Sequence, residues 1–386
     1  MTRHRASLFA AFALLVGLAT TWNHATLRAG ADAAPGQPSA GAFPRRSAAD
    51  TLPDKLSDEE FWKLSEDLSE PNGSFRSDNL LSNELFYPVV LPDLVQRAQS
   101  GGVYLGVGPE QNFEYIIALK PKMVFITDIR RGNMHTHLMY KALFELSADR
   151  AEFVARLFTK TRPAGLTTAS TATELMNAFW DAPAGNEAAY QANLQAIFTQ
   201  LTKKHTLPLS KDDLDGIEYV YHSFYWFGPS ITYNSSSNGG AGGGNMTNYA
   251  ALMMAADDAG VARSYLANEA TFNAIKDLEI RNMIVPLVGN FGGPKALRAV
   301  GQYVRAHGAT VSAFYLSNVE QYLRQDGIWD NFCGNVASMP LDGSSTFIRS
   351  GQGGFGGGGG GGALRSALGP MQSETQECAV APAGAR

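Results

Sequence analysis

The stretch from Val103 to Asp128 limits the possible folds more than any other part of the chain. Val103-Tyr-Leu-Gly-Val107 is a short apolar run bounded by glycines, which reads as a buried strand. Gln111 to Leu119 has helical spacing, and Pro121 ends it. Met123-Val-Phe-Ile-Thr-Asp128 is a second buried strand. A strand, a glycine turn, a helix and a second strand in this order form the unit from which parallel sheets are built.

The rest of the chain extends that pattern. Ser57 with Glu60 forms a capping-box signature, and Phe61, Leu64 and Leu68 follow at helical spacing. His135 to Phe158 reads as one long amphipathic helix, so His135 and His137 are placed on its surface, pointing apart. Residues 160–210 read as a helical insertion, with helices near 171–181 and 186–204. Asp215 to Phe227 is rich in β-branched and aromatic residues and is expected to be a strand. Further strands are expected at Asn282–Val288 and Ala309–Leu316. Helices follow at Gly292–Ala306 and Asn318–Arg324, and edge strands at Val336–Met339 and Thr346–Arg349. The alternation predicts an α/β fold with a mostly parallel sheet.

The ends differ in composition from the middle. Met1-Thr-Arg-His-Arg precedes an apolar run from Ala6 to Trp22, and A-x-A sites follow at 29–31 and 31–33. This pattern reads as a secretory signal or an N-terminal membrane anchor over residues 1–33. Residues 34–53 read as a linker and 54–350 as the folded domain. The 351–386 tail contains seven consecutive glycines, Gly356 to Gly362, and is expected to be disordered. Cys333 and Cys378 have no metal-ligand spacing, which argues against a structural zinc. A disulfide between them is arithmetically possible, but the position of Cys378 in the tail argues against it. The formal charge is −5 with no long basic run, which disfavours a nucleic-acid partner. The expected partner is a small molecule, with membrane contact only through the N-terminal segment.

The chemistry of the turn follows from its residues. Leu105-Gly106-Val107-Gly108-Pro109-Glu110-Gln111-Asn112 places two glycines where a strand passes into a helix. A cofactor must approach the backbone there, and side chains would collide with it. The helix N-terminus then offers N–H groups and a positive dipole end. Asp128 ends the next strand, 20 residues after Gly108, and can accept hydrogen bonds from ribose hydroxyls. A third glycine is absent, with Gln111 in its place, which points away from a dinucleotide. The alternative is a tight turn with Asp128 capping the next helix.

Val103-Tyr-Leu-Gly-Val-Gly-Pro109 and Asp128 resemble the class I S-adenosylmethionine-dependent methyltransferase superfamily. The likeness of element order spans roughly Leu80 to Ser350, and its motifs are specific between 103 and 128. Asp215-Gly-Ile-Glu-Tyr-Val-Tyr-His222 resembles that superfamily's fourth strand, whose end faces substrate. The resemblance implies a Rossmann-like, doubly wound fold and S-adenosylmethionine as cofactor. It implies cofactor contacts from Gly106, Gly108, Glu110, Gln111 and Asp128. Asn83 and Glu84, in the polar segment before the first strand, are expected to cover the cofactor. An Asn/Asp-Pro-Pro-Tyr signature is absent, and the 160–210 insertion departs from the minimal fold.

Tyr219, Tyr221 and His222 are the catalytic-side candidates, with His222 as a general base, against a purely core-packed aromatic strand. Ser317-Asn318 follows a strand end and is a candidate for the same mouth. The Asn234–Gly244 loop reads as a lid or a flexible insertion. No HExxH, P-loop or GxSxG is present. Two functions fit: a methyltransferase acting on a small molecule, or an exported, non-catalytic α/β binding protein that has lost the methyl donor.

Overall fold

The computed structural model describes residues 50–235, 247–352 and 364–379. The expected leader, most of the linker, the lid loop after Ser235 and the glycine run lie outside the described residues. Helix α1 (Asp58–Leu68) starts at the Ser57–Glu60 capping box, and α2 (Leu91–Arg97) precedes the first strand. Strand β1 (Val103–Gly106), α3 (Asn112–Leu119) and β2 (Met123–Asp128) follow as expected. Among the described residues, seven α-helices then separate β2 from β3: α4 (Arg131–Leu146), α5 (Arg150–Leu157), α6 (Ala172–Asp181), α7 (Glu187–Thr199), α8 (Lys211–Phe227), α9 (Tyr249–Met254) and α10 (Glu269–Ile280). After β3 (Ile284–Val288) come α11 (Ala296–Ala306), β4 (Val311–Ser317), α12 (Val319–Gln325) and α13 (Trp329–Ala337). Strands β5 (Thr346–Gln352) and β6 (Leu364–Pro370) and helix α14 (Met371–Thr375) complete the described chain.

The sheet order is β3-β2-β1-β4-β5-β6. Strands β1 to β5 are parallel, and β6 runs antiparallel to β5. This is an α/β fold with a mixed, mostly parallel sheet in Rossmann-like order. Every residue of β1, β2 and β3 is buried, as a sheet covered on both faces requires. The chain runs outward from β1 to β3 and then returns through α11 to β4 on the far side of β1. That reversal creates a topological switch point between the carboxyl ends of β1 and β4.

Four expectations are corrected. Residues 215–227 belong to helix α8, not to a strand. Ile217, Val220, Tyr221 and Phe224 recur at helical spacing and are buried, and a Ser210–Asp213 capping box starts the helix. Val336–Met339 overlaps α13 and is not an edge strand. The 135–158 helix is two helices, broken at Ser147, with Asp149 capping α5. The tail is not disordered throughout: Ser350 pairs with Ser366 across the β5–β6 hairpin, and Cys333 is bonded to Cys378.

Candidate functional site

A cavity of about 1030 Å³ opens at the carboxyl ends of the parallel strands. Val107 to Pro109 line it after β1, and Thr127 to Ile129 at the end of β2. Gly289 to Phe291 contribute after β3, Tyr315, Ser317 and Asn318 at the end of β4, and Ser350 and Gly351 from β5. The segment before β1 forms a cover, with Ser74 to Ser77, Asn79 and Leu81 to Asn83 lining the cavity, and α12 adds Gln321 and Tyr322. The cover is pinned at several points. Gly73 N donates to Ile129 O, Leu80 N to Tyr233 O, and Arg130 Nη1 to Asp78 O.

The glycine turn is held by Asn112. Its Nδ2 donates to the carbonyls of Val107, Gly108 and Pro109 at 3.0, 3.1 and 2.7 Å. Tyr104 Oη donates to its Oδ1 at 3.0 Å. A Cβ on Gly106 would lie 1.8 Å from Asn112 Oδ1, so this glycine makes room for Asn112. Gly108 has φ +73° and lines the cavity with open space where a Cβ would be, so its backbone is open to a ligand. His137 Nε2 lies 2.9 Å from the Gly108 carbonyl. Burial lowers the His137 pKa to about 4, so the ring is neutral and donates that bond.

Asp128 is buried at the end of β2 and lines the cavity. Burial raises its pKa, against the opposing pull of Arg130. Oδ1 accepts from Arg130 N at 2.9 Å and lies 3.6 Å from Arg130 Nε. Both contacts fall on Oδ1, which leaves Oδ2 as the oxygen a ligand could use. Asp128 thus makes the turn contact of a helix entry and faces the cavity at once.

The remaining sequence candidates divide. Asn83 and Gln111 line the cavity. Gln111 occupies the third-glycine position and fills it with hydrogen bonds. Its Nε2 donates to Glu84 Oε2 at 2.8 Å and to Tyr115 Oη at 2.7 Å, and its Oε1 accepts from Ser82 Oγ. Glu84, 1% exposed, also accepts from Ser317 Oγ and Ser350 Oγ, so it sits behind the wall and organises it. Glu110 is likewise behind the cavity. Its Oε1 accepts from Ser82 N at 3.0 Å, and burial raises its pKa to about 7.

Tyr221 and His222 are not among the lining residues. Tyr221 Oη lies 2.8 Å from Thr159 Oγ1 and donates to Arg156 O, while His222 stacks on Trp226 and meets the rings of Tyr190 and Tyr225 edge-on. Helix α8 packs on α4, outside the sheet's mouth, so the strand geometry that would have aimed them at substrate does not exist. Tyr219 reaches the cover, donating to Asp78 Oδ2 at 2.9 Å. His135 and His137, expected on the surface, are buried; His135 Nε2 meets Asp213 Oδ1 at 3.0 Å.

Sequence reasoning missed Asn112, Thr127, Asn290 and Ser350. For Thr127, Asn290 and Ser350 the available signal was a small or polar residue near the end of a strand; Asn112, at the start of α3, had none. The N-terminus of α11 is closed to a ligand: Glu70 accepts from the N–H groups of Asn290, Lys295 and Ala296.

Fold and site together define a Rossmann-like α/β domain with a cavity at its switch point. A family model described as a domain of unknown function, DUF7790, matches residues 80–358. That span covers well over half of the chain and all of the parallel sheet, and the chain belongs to this family. No curated protein matches the sequence.

Proposed function

We propose that the cavity binds a nucleoside-bearing cofactor, with S-adenosylmethionine as the first candidate, and that the chain transfers its methyl group to a small molecule. One observation carries the reading. Gly108 and Asp128, at the ends of adjacent parallel strands, line the same cavity at the switch point. The residues present fit such a cofactor. Asp128 Oδ2 would accept from a ribose hydroxyl, and the open backbone at Gly108 permits close approach. When bound, S-adenosylmethionine supplies an electrophilic methyl group. The chain's own contribution is to hold and orient: Asp128, Gly108 and Asn83 bind, and the 74–83 cover keeps water out. Calorimetry with S-adenosylmethionine and S-adenosylhomocysteine tests the reading. Micromolar binding is expected, weakened at least tenfold by Asp128→Ala. No binding by the wild type, or equal binding by the variant, refutes it.

The Cys333–Cys378 disulfide favours a second reading, because such bonds persist in oxidising compartments. In that case the domain is an exported α/β ligand-binding protein without methyl transfer. Cell fractionation with N-terminal sequencing separates the two. A mature start near Ala34 supports export, and an uncleaved cytoplasmic chain contradicts it.

A further inference from the structure

The wall of the cavity at β4 and β5 has a defined hydrogen-bond polarity. Ser317 ends β4 with φ +50°, a left-handed conformation that a non-glycine residue rarely adopts, and the β4–β5 register shifts at the same place. That conformation accompanies the donation of Ser317 Oγ to Glu84 Oε1. Ser350, at the facing end of β5, donates its hydroxyl to Glu84 Oε2. Both serines line the cavity, and Glu84 lies behind them. Each hydroxyl has one proton, and the contacts direct each proton to the carboxylate, which the neighbouring lining phenol Tyr315 also hydrogen-bonds. What both present to a ligand is an oxygen lone pair. Gln111 cannot reverse this polarity, because its amide donors are already shared between Glu84 and Tyr115.

Charge points the same way. Among the described residues lining the cavity, Asp128 and Asp326 are acidic; Arg130 lies 3.6 Å from Asp128 and offsets it, whereas Glu84, just behind the wall, is met by two serine hydroxyls and the Gln111 amide. The lining guanidinium, Arg76, donates to Tyr322 Oη and lies over that ring, on the α12 side of the opening. The aromatic faces of Phe75, Phe291 and Tyr322 offer apolar contact to the rest of a ligand. At about 1030 Å³ the cavity lies at the upper end of the usual range for a ligand site, about 300–1000 Å³.

We propose that the Ser317–Ser350–Glu84 wall is the subsite for the second substrate, and that this substrate carries a primary or secondary amine, bound as its ammonium, attached to an apolar or aromatic body. An alcohol can donate one hydrogen bond here, an ammonium can donate to both serines and gain from the carboxylate behind them, and a carboxylate is repelled. The proposal rests on the reading that this cavity is the ligand site. It goes beyond that reading in naming the group by which the second substrate is held; an ammonium has no lone pair to attack a methyl group, so this group is the handle and the methyl acceptor is another atom of the same molecule.

Ligand-observed NMR titrations of the full chain with benzylamine, benzyl alcohol and benzoate provide the test. Benzylamine is expected to bind at least tenfold tighter than benzyl alcohol, with benzoate weaker still. In Glu84→Gln the preference is expected to collapse to within about twofold. Should that variant not fold, the Ser317→Ala/Ser350→Ala double variant is expected to lose the preference instead. Benzoate binding as tightly as benzylamine overturns the proposal, as does no benzylamine binding at 20 mM or an unchanged preference in a folded variant. Benzylamine retained in the presence of saturating S-adenosylhomocysteine assigns the ammonium to the second ligand, and its displacement overturns that assignment. Calorimetry with S-adenosylmethionine reads the cofactor independently, so the two ideas can fail separately.

Discussion

Asn112 shows how one side chain can replace backbone economy in a cofactor-type turn. Three carbonyls converge on a single amide nitrogen that is fully buried. Asn112→Ala leaves all three without that donor, and the expected loss is about 1–3 kcal/mol of stability, read by chemical denaturation. Asn112→Asp should be worse, since it puts an acceptor against three acceptors. The two glycines and the acid were visible in the sequence because their spacing is local. Asn112 was quoted in the motif, but its role was hidden, because nothing in a linear pattern says that its amide turns back onto the loop. Glu110 teaches a related lesson. It reads as a cofactor contact by position, yet it sits behind the cavity with Oε2 unpaired. Its pKa in the fold is about 7 against 4.5 as the ordinary value, so the folded state holds a proton that the unfolded state releases. Stability is therefore greatest at low pH for this group and falls as pH rises from about 4.5 through 7, by about 3 kcal/mol in all. Glu110→Gln should flatten that decline in urea midpoints measured from pH 5 to 8. An unchanged slope would show that Glu110 is ionised without cost.

Helix α8 is the element where local composition misled. Its aromatic and β-branched residues favour a strand by propensity, but packing overrode propensity, because the buried positions follow a 3.6-residue period. The Ser210–Asp213 box at its start was the decisive signal, and it lies just outside the aromatic run. Asp213 does more than cap. It accepts from Ser210 N and Oγ, meets His135 Nε2 at 3.0 Å and pairs with Arg131 Nε at 2.6 Å. The His135, Arg131 and Ser210 contacts outweigh the burial penalty and hold this carboxyl well below its usual range. Asp213→Ala removes the cap and leaves a largely buried imidazole without its partner, while Arg131 keeps Glu66, at an expected cost of about 2–4 kcal/mol. Because the folded pKa is depressed, the contribution is present above the ordinary value of 3.8 and is lost as pH falls below it. Thermal melts at pH 7 and pH 3 check both points. The gap between wild type and variant should narrow at pH 3 without closing, because the folded carboxyl titrates well below that pH, and an unchanged gap would contradict the ion-pair account.

At the scale of the molecule, the parallel sheet was legible because β1 to β4 are largely apolar runs bounded by turn residues, and only the first half of the more polar β5 stood out. The C-terminal hairpin was not. Strand β6 is a weak, mixed run beyond a glycine tract, and its place in the sheet depends on contacts far away in sequence. Met371 is fully buried just after it, and Cys378 is bonded to Cys333 on α13. The disulfide closes a loop of 45 residues that contains β5 and β6. By loop entropy alone, a cross-link of that length contributes about 4 kcal/mol. The same hairpin carries Ser350, so the clamp and the cavity wall share a strand. Cys378→Ser is therefore expected to lower the guanidinium midpoint by an amount matching about 4 kcal/mol and to speed amide exchange in Leu364–Pro370 and Thr346–Gln352. Exchange in β1 to β3 should rise only with the global loss of stability, because those strands are held on both faces by the core. Equal midpoints for Cys378→Ser and wild type would show that the hairpin stays docked without the bond. The covalent link would then be incidental to the cavity.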